Sequence, residues 1–464
     1  MSRTVVRILL LVCILFYGQV MCKAAPIALR GVVEGFYGTP WSKAERLDFF
    51  AFAEKVGFNA YIYAPKDDPY HRAKWREPYP PEKLHELGEL AQASRSRGVR
   101  FIFAVSPGLD VALSGMGRYG DREKLLAKME ALYAQGVRDF AVCFDDIREK
   151  DGAGQAELLC WLSERIRERH ADARLLLTVP TEYFLADMRT ANGAVTPYTR
   201  DFSAQSAKDV LVLYTGDGVA KNNLTDASYQ SANRLYGCPL ALWWNYPAND
   251  YMEEKLALGP IEGLPQASSI PAVFFNPMRY EALSKLALAT GAAYARNPAA
   301  YDPDEAWQDA LRSQYGTIAG AMAQFAAHST HLENDWANIG RPDGVAFSAK
   351  AARVLSTKGT ETDFAAMDEE IRTIRCSILV LKAKLPKEIL AECQPQLQQL
   401  LDIADASGVA LDILRAEKTG DVLCVHAKRY ELSQKMQEIE RRQDKARISE
   451  GAGMAFIASV MKRN

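Results

Sequence analysis

Asp145 and Asp146 stand side by side at the end of Asp139-Phe-Ala-Val-Cys-Phe-Asp-Asp-Ile147. Two carboxylates in one cleft can share acid–base work, one holding a proton while the other keeps its charge. The apolar run ahead of them reads as a strand covered on both faces, and acids at the C-terminal edge of such a strand lie where barrel enzymes keep their chemistry. Strand side chains alternate faces, so both acids reach one cleft only if the chain leaves extended geometry between them. Ile147-Arg-Glu-Lys-Asp-Gly-Ala-Gly154, polar and glycine-bearing, supplies that exit. Taken alone, Asp-Asp is more often a solvated turn or a helix cap. The surrounding elements decide.

Short β-rich apolar runs at residues 30–33, 60–64, 100–105, 139–144, 175–179, 210–214, 240–244 and 272–275 alternate with helical stretches. Eight such alternations predict an α/β fold, a (β/α)8 TIM barrel. Ser42 with Glu45 three residues on forms a capping box ahead of the first helix, with Leu47, Phe50 and Val56 on one face. Helices at 82–98 and 121–136 end near Gly98 and Gly136, as helix C-termini prefer. The helix after the sixth strand is the least marked.

With this register the strand ends read Glu34-Gly-Phe-Tyr-Gly-Thr-Pro-Trp41, Pro65-Lys-Asp-Asp-Pro69, Ser106-Pro-Gly-Leu-Asp110, Asp145-Asp146, Pro180-Thr-Glu-Tyr183, Thr215-Gly-Asp217, Asn245-Tyr-Pro-Ala-Asn-Asp-Tyr251 and Asn276-Pro-Met278. Acids, amides and aromatic rings on one rim suit a neutral polyhydroxylated ligand: polar groups grip hydroxyls and rings cover the apolar sugar face. No glycine-rich cradle or arginine cluster for phosphate occurs there. The whole chain has 464 residues, 48% hydrophobic and 25% charged, with a formal net charge of -2. That balance describes a globular protein and gives nucleic acid no basic surface. The six histidines, His328 and His331 among them, form no ligand set with cysteines or acids, so no metal and no cofactor is expected.

Residues 1–24 read as a signal peptide: a cationic start, a short apolar core from Ile8 to Tyr17, then Ala24 and Ala25. The core is too short to span a bilayer, so no stable membrane span is expected. Gln19-Val-Met is a poor approach to Cys22 as a lipid acceptor. Export to a periplasm or the medium is therefore expected. Cys143, Cys160, Cys238, Cys376, Cys393 and Cys424 remain, at irregular spacing that reads as mostly buried small apolar residues rather than a disulfide framework. Asn223-Leu-Thr is a glycosylation sequon, meaningful only in a eukaryotic secretory pathway.

A catalytic barrel over 25–300 gives way to a helical domain over 301–464. Asp302, Pro303 and Glu305 form a helix-start signal, and helical periodicity at 363–385, 388–406 and 426–446 predicts an appended bundle. The charged run 438–445 reads as a solvated helix face.

The segments Gly31-Val-Val-Glu-Gly-Phe-Tyr-Gly-Thr-Pro-Trp41, Tyr63-Ala-Pro-Lys-Asp-Asp68, Ile102-Phe-Ala-Val-Ser-Pro-Gly-Leu-Asp110, Phe144-Asp-Asp-Ile147, Pro180-Thr-Glu-Tyr183, Trp243-Trp-Asn-Tyr-Pro-Ala-Asn-Asp-Tyr251 and Phe275-Asn-Pro-Met278 resemble, in order, the signatures of glycoside hydrolase family 84. These are retaining β-N-acetylglucosaminidases that include protein O-GlcNAcases. The resemblance implies an exo-enzyme removing terminal β-linked GlcNAc from a glycan or glycoprotein, and the signal peptide adds the expectation of export. It also implies substrate-assisted catalysis through an oxazoline, with the sugar's acetamido oxygen as an intramolecular nucleophile. Asp145 would hold the acetamido N–H, and Asp146 would act as acid and then base. Lys66, Asp250 and Asn276 would hold ring hydroxyls, with Gly35 contributing backbone. Asn245 would sit near the acetamido group or its acid, and Tyr183 and Trp243 would shape the acetyl pocket.

Two other readings fit parts of the pattern. A GlcNAc-binding or adhesion protein on the same barrel would bind without turnover, and the intact acid pair argues against it. A hexosaminidase or chitinase of another family would carry Asp-Glu or Asp-x-Glu where this chain has consecutive aspartates.

Overall fold

The computed structural model describes residues 25–266, 269–356 and 358–463. Residues 1–24, which the sequence reads as a signal peptide and which include Cys13 and Cys22, lie outside the described residues. Eight parallel strands, β1 (Leu29–Glu34), β2 (Ala60–Tyr63), β3 (Arg100–Val105), β4 (Asp139–Cys143), β5 (Arg174–Val179), β6 (Leu211–Tyr214), β7 (Ala241–Trp244) and β8 (Ala272–Phe275), close in chain order into a barrel. Pairing of Leu29 with Ala272 and of Val32 with Phe275 seals it.

Alternation along the strands explains why nearly every strand residue is apolar. Val33, Ile62, Ala104, Ala141, Leu177, Leu213 and Phe274 fill the interior. Their neighbours Val32, Tyr61, Phe103, Val142, Leu242 and Phe275 pack outward beneath the helices. That outer layer comprises α1 (Lys43–Val56), α2 (Pro81–Ser96), α3 (Gly117–Ala134), α4 (Gly152–Arg169), α5 (Pro197–Gln205), α6 (Asp226–Tyr236) and α7 (Glu281–Arg296). The capping box on α1 is present, with Ser42 Oγ accepting from the Glu45 amide and Glu45 Oε2 accepting from the Ser42 amide. Thr225 caps α6, the helix least marked in the sequence.

The alternation fails once: among the described residues no helix joins β7 to β8. Gly259-Pro260, Gly263 and Pro265 break the connector, yet Leu256, Leu258 and Ile261 are fully buried. The chain beyond the barrel covers them. Trp307 Nε1, on α8 (Pro303–Tyr315), donates to the Leu258 carbonyl at 2.9 Å, and the Leu258 amide donates to the Ser329 carbonyl at 2.8 Å.

After α8 come α9 (Ala319–Ala326), a two-stranded hairpin of β9 (Leu332–Glu333) and β10 (Asn338–Ile339), α10 (Val345–Leu355) and the bundle helices α11 (Glu361–Lys384), α12 (Lys387–Thr419) and α13 (Val422–Glu440), then α14 (Ala455–Met461). Three expectations change. Helix α12 continues past Ser407-Gly408, where the glycine faces only the flexible end of Arg375. The run 438–445 leaves the helix after Glu440, so its exposed charges lie mostly in turns. Only Cys143 and Cys393 of the six free cysteines are buried, and Cys376 on the surface of α11 is exposed.

Candidate active site

Strand β4 delivers the acid pair to the barrel mouth. Asp145 is buried, and the chain then turns through a left-handed Asp146 with φ 57°. A non-glycine residue in that region costs of order 1 kcal/mol or more. The turn places Asp146 beside Asp145 in one cavity rather than on the opposite face.

Asp145 Oδ2 accepts from Lys66 Nζ, from the loop after β2, and both side chains are nearly inaccessible. Burial alone would push the Asp145 carboxyl up, but the Lys66 ammonium outweighs it and holds the group below the ordinary carboxylate range. Burial likewise opposes the Lys66 charge, and Asp145 and Asp146 outweigh it in turn, so its proton is held more tightly. The other oxygen, Asp145 Oδ1, is buried without a hydrogen-bond partner. Buried carboxylate oxygens ordinarily find a donor.

Asp146 accepts on both oxygens, from Tyr37 at 2.7 Å and from Tyr183 at 3.0 Å. Both phenols are pushed up, by burial first and by the neighbouring carboxylate: Tyr37 to about 12, and Tyr183 further. Each therefore stays a donor. Opposite them, Trp243 Nε1 and Asn276 Nδ2 donate to Asn245 Oδ1 at 2.7 and 3.0 Å, and Asn245 Nδ2 donates to the Val219 carbonyl at 2.9 Å. Both amide atoms of Asn245 are thus engaged within the protein, by Trp243, Asn276 and the Val219 carbonyl. The Gly35 amide meets Asn276 Oδ1 at 3.2 Å. A Cβ on Gly35 would lie 2.4 Å from the Trp243 ring, so only glycine allows that approach. Asp250 Oδ2 accepts from the Tyr37 amide at 2.8 Å, and burial raises its carboxyl.

All nine residues read from the sequence, Gly35, Lys66, Asp145, Asp146, Tyr183, Trp243, Asn245, Asp250 and Asn276, line one cavity of about 420 Å³. That volume is in the range of small-ligand sites. Its wall presents mainly carbon, from Trp243, Tyr183, Val179, Val219 and Tyr251, with the acids, Lys66 and the amides converging. Among the described residues no group of three or more His, Cys, Asp or Glu side chains could hold a metal ion.

Three comparisons with known proteins bear on this arrangement. Residues 30–327 match the family model described as beta-N-acetylglucosaminidase, and residues 351–457 match a hyaluronidase post-catalytic domain-like model. The chain belongs to glycoside hydrolase family 84. Protein O-GlcNAcase of Mus musculus is 33% identical over 242 residues, covering 51% of this chain and 26% of that protein; the Rattus norvegicus protein matches to the same extent. The chain therefore spans about a quarter of those mammalian relatives. Among solved structures, CpGH84B superposes with a TM-score of 0.89 at 33% identity, covering 94% of this chain and 77% of that one. A mutant of the Thermobaculum terrenum O-GlcNAc hydrolase superposes with a TM-score of 0.84 at 26% identity, covering 94% of each.

Within this family 84 chain, several pocket residues escape the sequence reading. Tyr37 sits inside a quoted segment but was assigned no contact; its hydroxyl also accepts from Arg72 Nη1 at 2.8 Å. Trp336 comes from the hairpin beyond the barrel and meets Tyr251 at 4.6 Å between ring centroids. No periodicity or motif announces it. Conversely, the rim after β3 contributes nothing to the cavity. Asp110 there is engaged by Arg76 and by Trp75 Nε1. Glu182 is likewise occupied by Lys150, Thr196 and Thr199.

Proposed function

We propose that this protein is an exported, exo-acting, retaining β-N-acetylglucosaminidase that removes terminal β-linked GlcNAc from glycans or glycoproteins by substrate-assisted catalysis. One observation carries the reading: Asp145, which lines the pocket, is held as a carboxylate by Lys66 on one oxygen while its other oxygen is buried and lacks a donor. A 2-acetamido N–H is a donor of the right kind. Accepting it would pin the acetamido group, orient its oxygen toward the anomeric carbon and offset the positive charge that grows on nitrogen as the oxazoline forms.

The remaining parts then have work. Asp146 protonates the departing oxygen and, once the aglycone has left, takes a proton from the water that opens the oxazoline. Water enters on the face the aglycone vacated, so configuration is retained. Lys66, Asp250 and the Gly35–Asn276 unit face the ring hydroxyls, and Trp243 with Tyr183 encloses the acetyl methyl. Export is part of the proposal and is supported by the leader in the sequence.

Hydrolysis of an aryl β-N-acetylglucosaminide followed by NMR should show the β-anomer first. Appearance of the α-anomer, or full activity in Asp145→Asn, would contradict the mechanism. Fractionation of cells expressing the full chain checks export, with activity expected outside the cytoplasm.

A further inference from the structure

Asp146 is gripped by two phenols that look equivalent and are not. The Tyr183 hydroxyl donates to Oδ1 at 3.0 Å. The Tyr37 hydroxyl donates to Oδ2 at 2.7 Å and also receives Arg72 Nη1 at 2.8 Å. A guanidinium can only donate, so the Tyr37 oxygen is an acceptor toward Arg72 and its single hydrogen has one direction left, toward Asp146. The second arm of the same guanidinium, Nη2, reaches the Asp146 carbonyl at 3.4 Å. Arg72 therefore touches both the phenol that orients the carboxylate and the backbone of the left-handed residue that bears it.

A general acid needs one oxygen that can carry and release a proton. Oδ2 faces a hydrogen whose direction is fixed. Oδ1 faces a hydroxyl free to turn toward another acceptor, such as the carbonyl of an acetamido group beside Tyr183 in the cavity. We propose that Tyr37, locked as a donor by Arg72, is the positioning residue for Asp146, and that the working proton of Asp146 rides on Oδ1. This rests on the hydrolase reading above. In the first step Oδ1–H passes its proton to the glycosidic oxygen as that oxygen keeps the electron pair of the breaking bond to the anomeric carbon and the acetamido oxygen bonds to that carbon. In the second, water bonds to the same carbon, the acetamido oxygen takes its electrons back, and the water proton returns to Asp146. Tyr37 keeps its bond to Oδ2 through both steps.

The test is kcat/KM across aryl β-N-acetylglucosaminides whose leaving phenols run from strongly to weakly acidic, for the wild type, Tyr37→Phe, Arg72→Met and the double variant, with thermal unfolding as a check on folding. A mispositioned acid harms most the substrates that need protonation. Tyr37→Phe should lose ~10-fold more on the weakest leaving group than on the best, a part of the ~10²–10⁴-fold that general acid catalysis contributes as a whole. Arg72→Met should tilt the series the same way, and the double variant should fall no further than the worse single one. A loss equal across the series would mean that Tyr37 serves binding or folding only, and no loss would remove its role; either overturns the proposal. If Tyr37→Phe fails to fold, Arg72→Met carries the same comparison. If the wild type turns over none of the substrates, the hydrolase reading itself fails, which is a different result. A crystal structure with a thiazoline analogue of the sugar should keep Tyr37 on Oδ2 and find Tyr183 turned away from Oδ1; the reverse places the proton on the wrong oxygen.

Discussion

Two buried acid–base pairs lie at strand ends of the barrel, Glu34 with Arg46 at the end of β1 and Asp145 with Lys66 after β4 and β2, and they differ in how fully they are bonded. Glu34, at the end of β1, is inaccessible and accepts from Arg46 Nη2 at 2.7 Å, Arg46 Nε at 2.9 Å, the Trp41 amide at 3.1 Å and the Tyr61 hydroxyl. Every lone-pair direction is filled by the protein itself. Asp145, on Lys66, is almost as buried but leaves one oxygen without a donor. The first pair clamps β1 and β2 to α1; in the proposed mechanism the second keeps a place for a donor from the substrate. Burial and charge do not separate structure from function here, but hydrogen-bond saturation does.

The most forceful way to break that comparison is at the chemistry. Asp146→Asn should lower kcat/KM on substrates with poor leaving groups by ~10²–10⁴-fold and recover partly with good ones. Steady-state kinetics on both kinds of substrate check this.

Matched isosteric changes sharpen the comparison next. In Glu34→Gln an amide –NH2 would face donors already aimed at it, so stability should fall by about 3 kcal/mol, as when a buried ion pair is broken, while the folded fraction keeps its turnover. In Asp145→Asn the amide oxygen can still accept from Lys66 and the –NH2 falls on the side that had no donor. Its unfolding temperature should move less than that of Glu34→Gln while its activity collapses. The reverse pattern in unfolding and kinetic measurements would dissolve the distinction.

A third test uses two buried histidines. His71, in the same loop as Lys66, and His328, which meets Ser449, are each pulled down to about 4, by burial first and for His71 by Lys66 as well. The unfolded chain takes up these protons near pH 6.5 and the native chain does not. The stability they contribute is therefore present above about 6.5 and lost as pH falls toward about 4, by about 3 kcal/mol each at most. Unfolding curves at pH 7, 5.5 and 4.5 should show the decline, and His328→Gln should flatten it.

The smallest effect is expected at Trp336. Replacement by Ala should raise KM severalfold for large aglycones and leave kcat for small aryl substrates little altered, because the ring is half-exposed at the pocket rim.

Much of the fold was legible because a strand buried on both faces is a solid apolar run, and such runs placed all eight barrel strands to within a residue at most ends. The absence of a helix between β7 and β8 among the described residues was less legible: Gly259-Pro260, Gly263 and Pro265 break the connector, but only contacts from Trp307, some fifty positions downstream, show how its buried apolar residues are covered. That the nine candidate residues would meet was legible because their segments follow different strands and converge on one mouth, whereas their individual roles came only from the family resemblance. Glu34 and Asp145 could not be told apart in the sequence, since each is an acid at a strand end. Saturation depends on Arg46, Tyr61 and Lys66, whose side-chain directions no spacing encodes. Tyr37 lay in plain view, but its link through Arg72 crosses two loops. Trp336 carried no local signal at all.

In the proposed mechanism Asp145 holds the substrate's own acetamido group, whose oxygen is the nucleophile. The direct measurement is kcat/KM on matched aryl glycosides bearing N-acetyl, N-fluoroacetyl, N-difluoroacetyl and N-trifluoroacetyl groups. Fluorine withdraws electrons from the acetamido oxygen, so the account predicts a steep and monotonic fall along the series for the wild type. A flat series would contradict it, because the nucleophile would then belong to something other than the substrate.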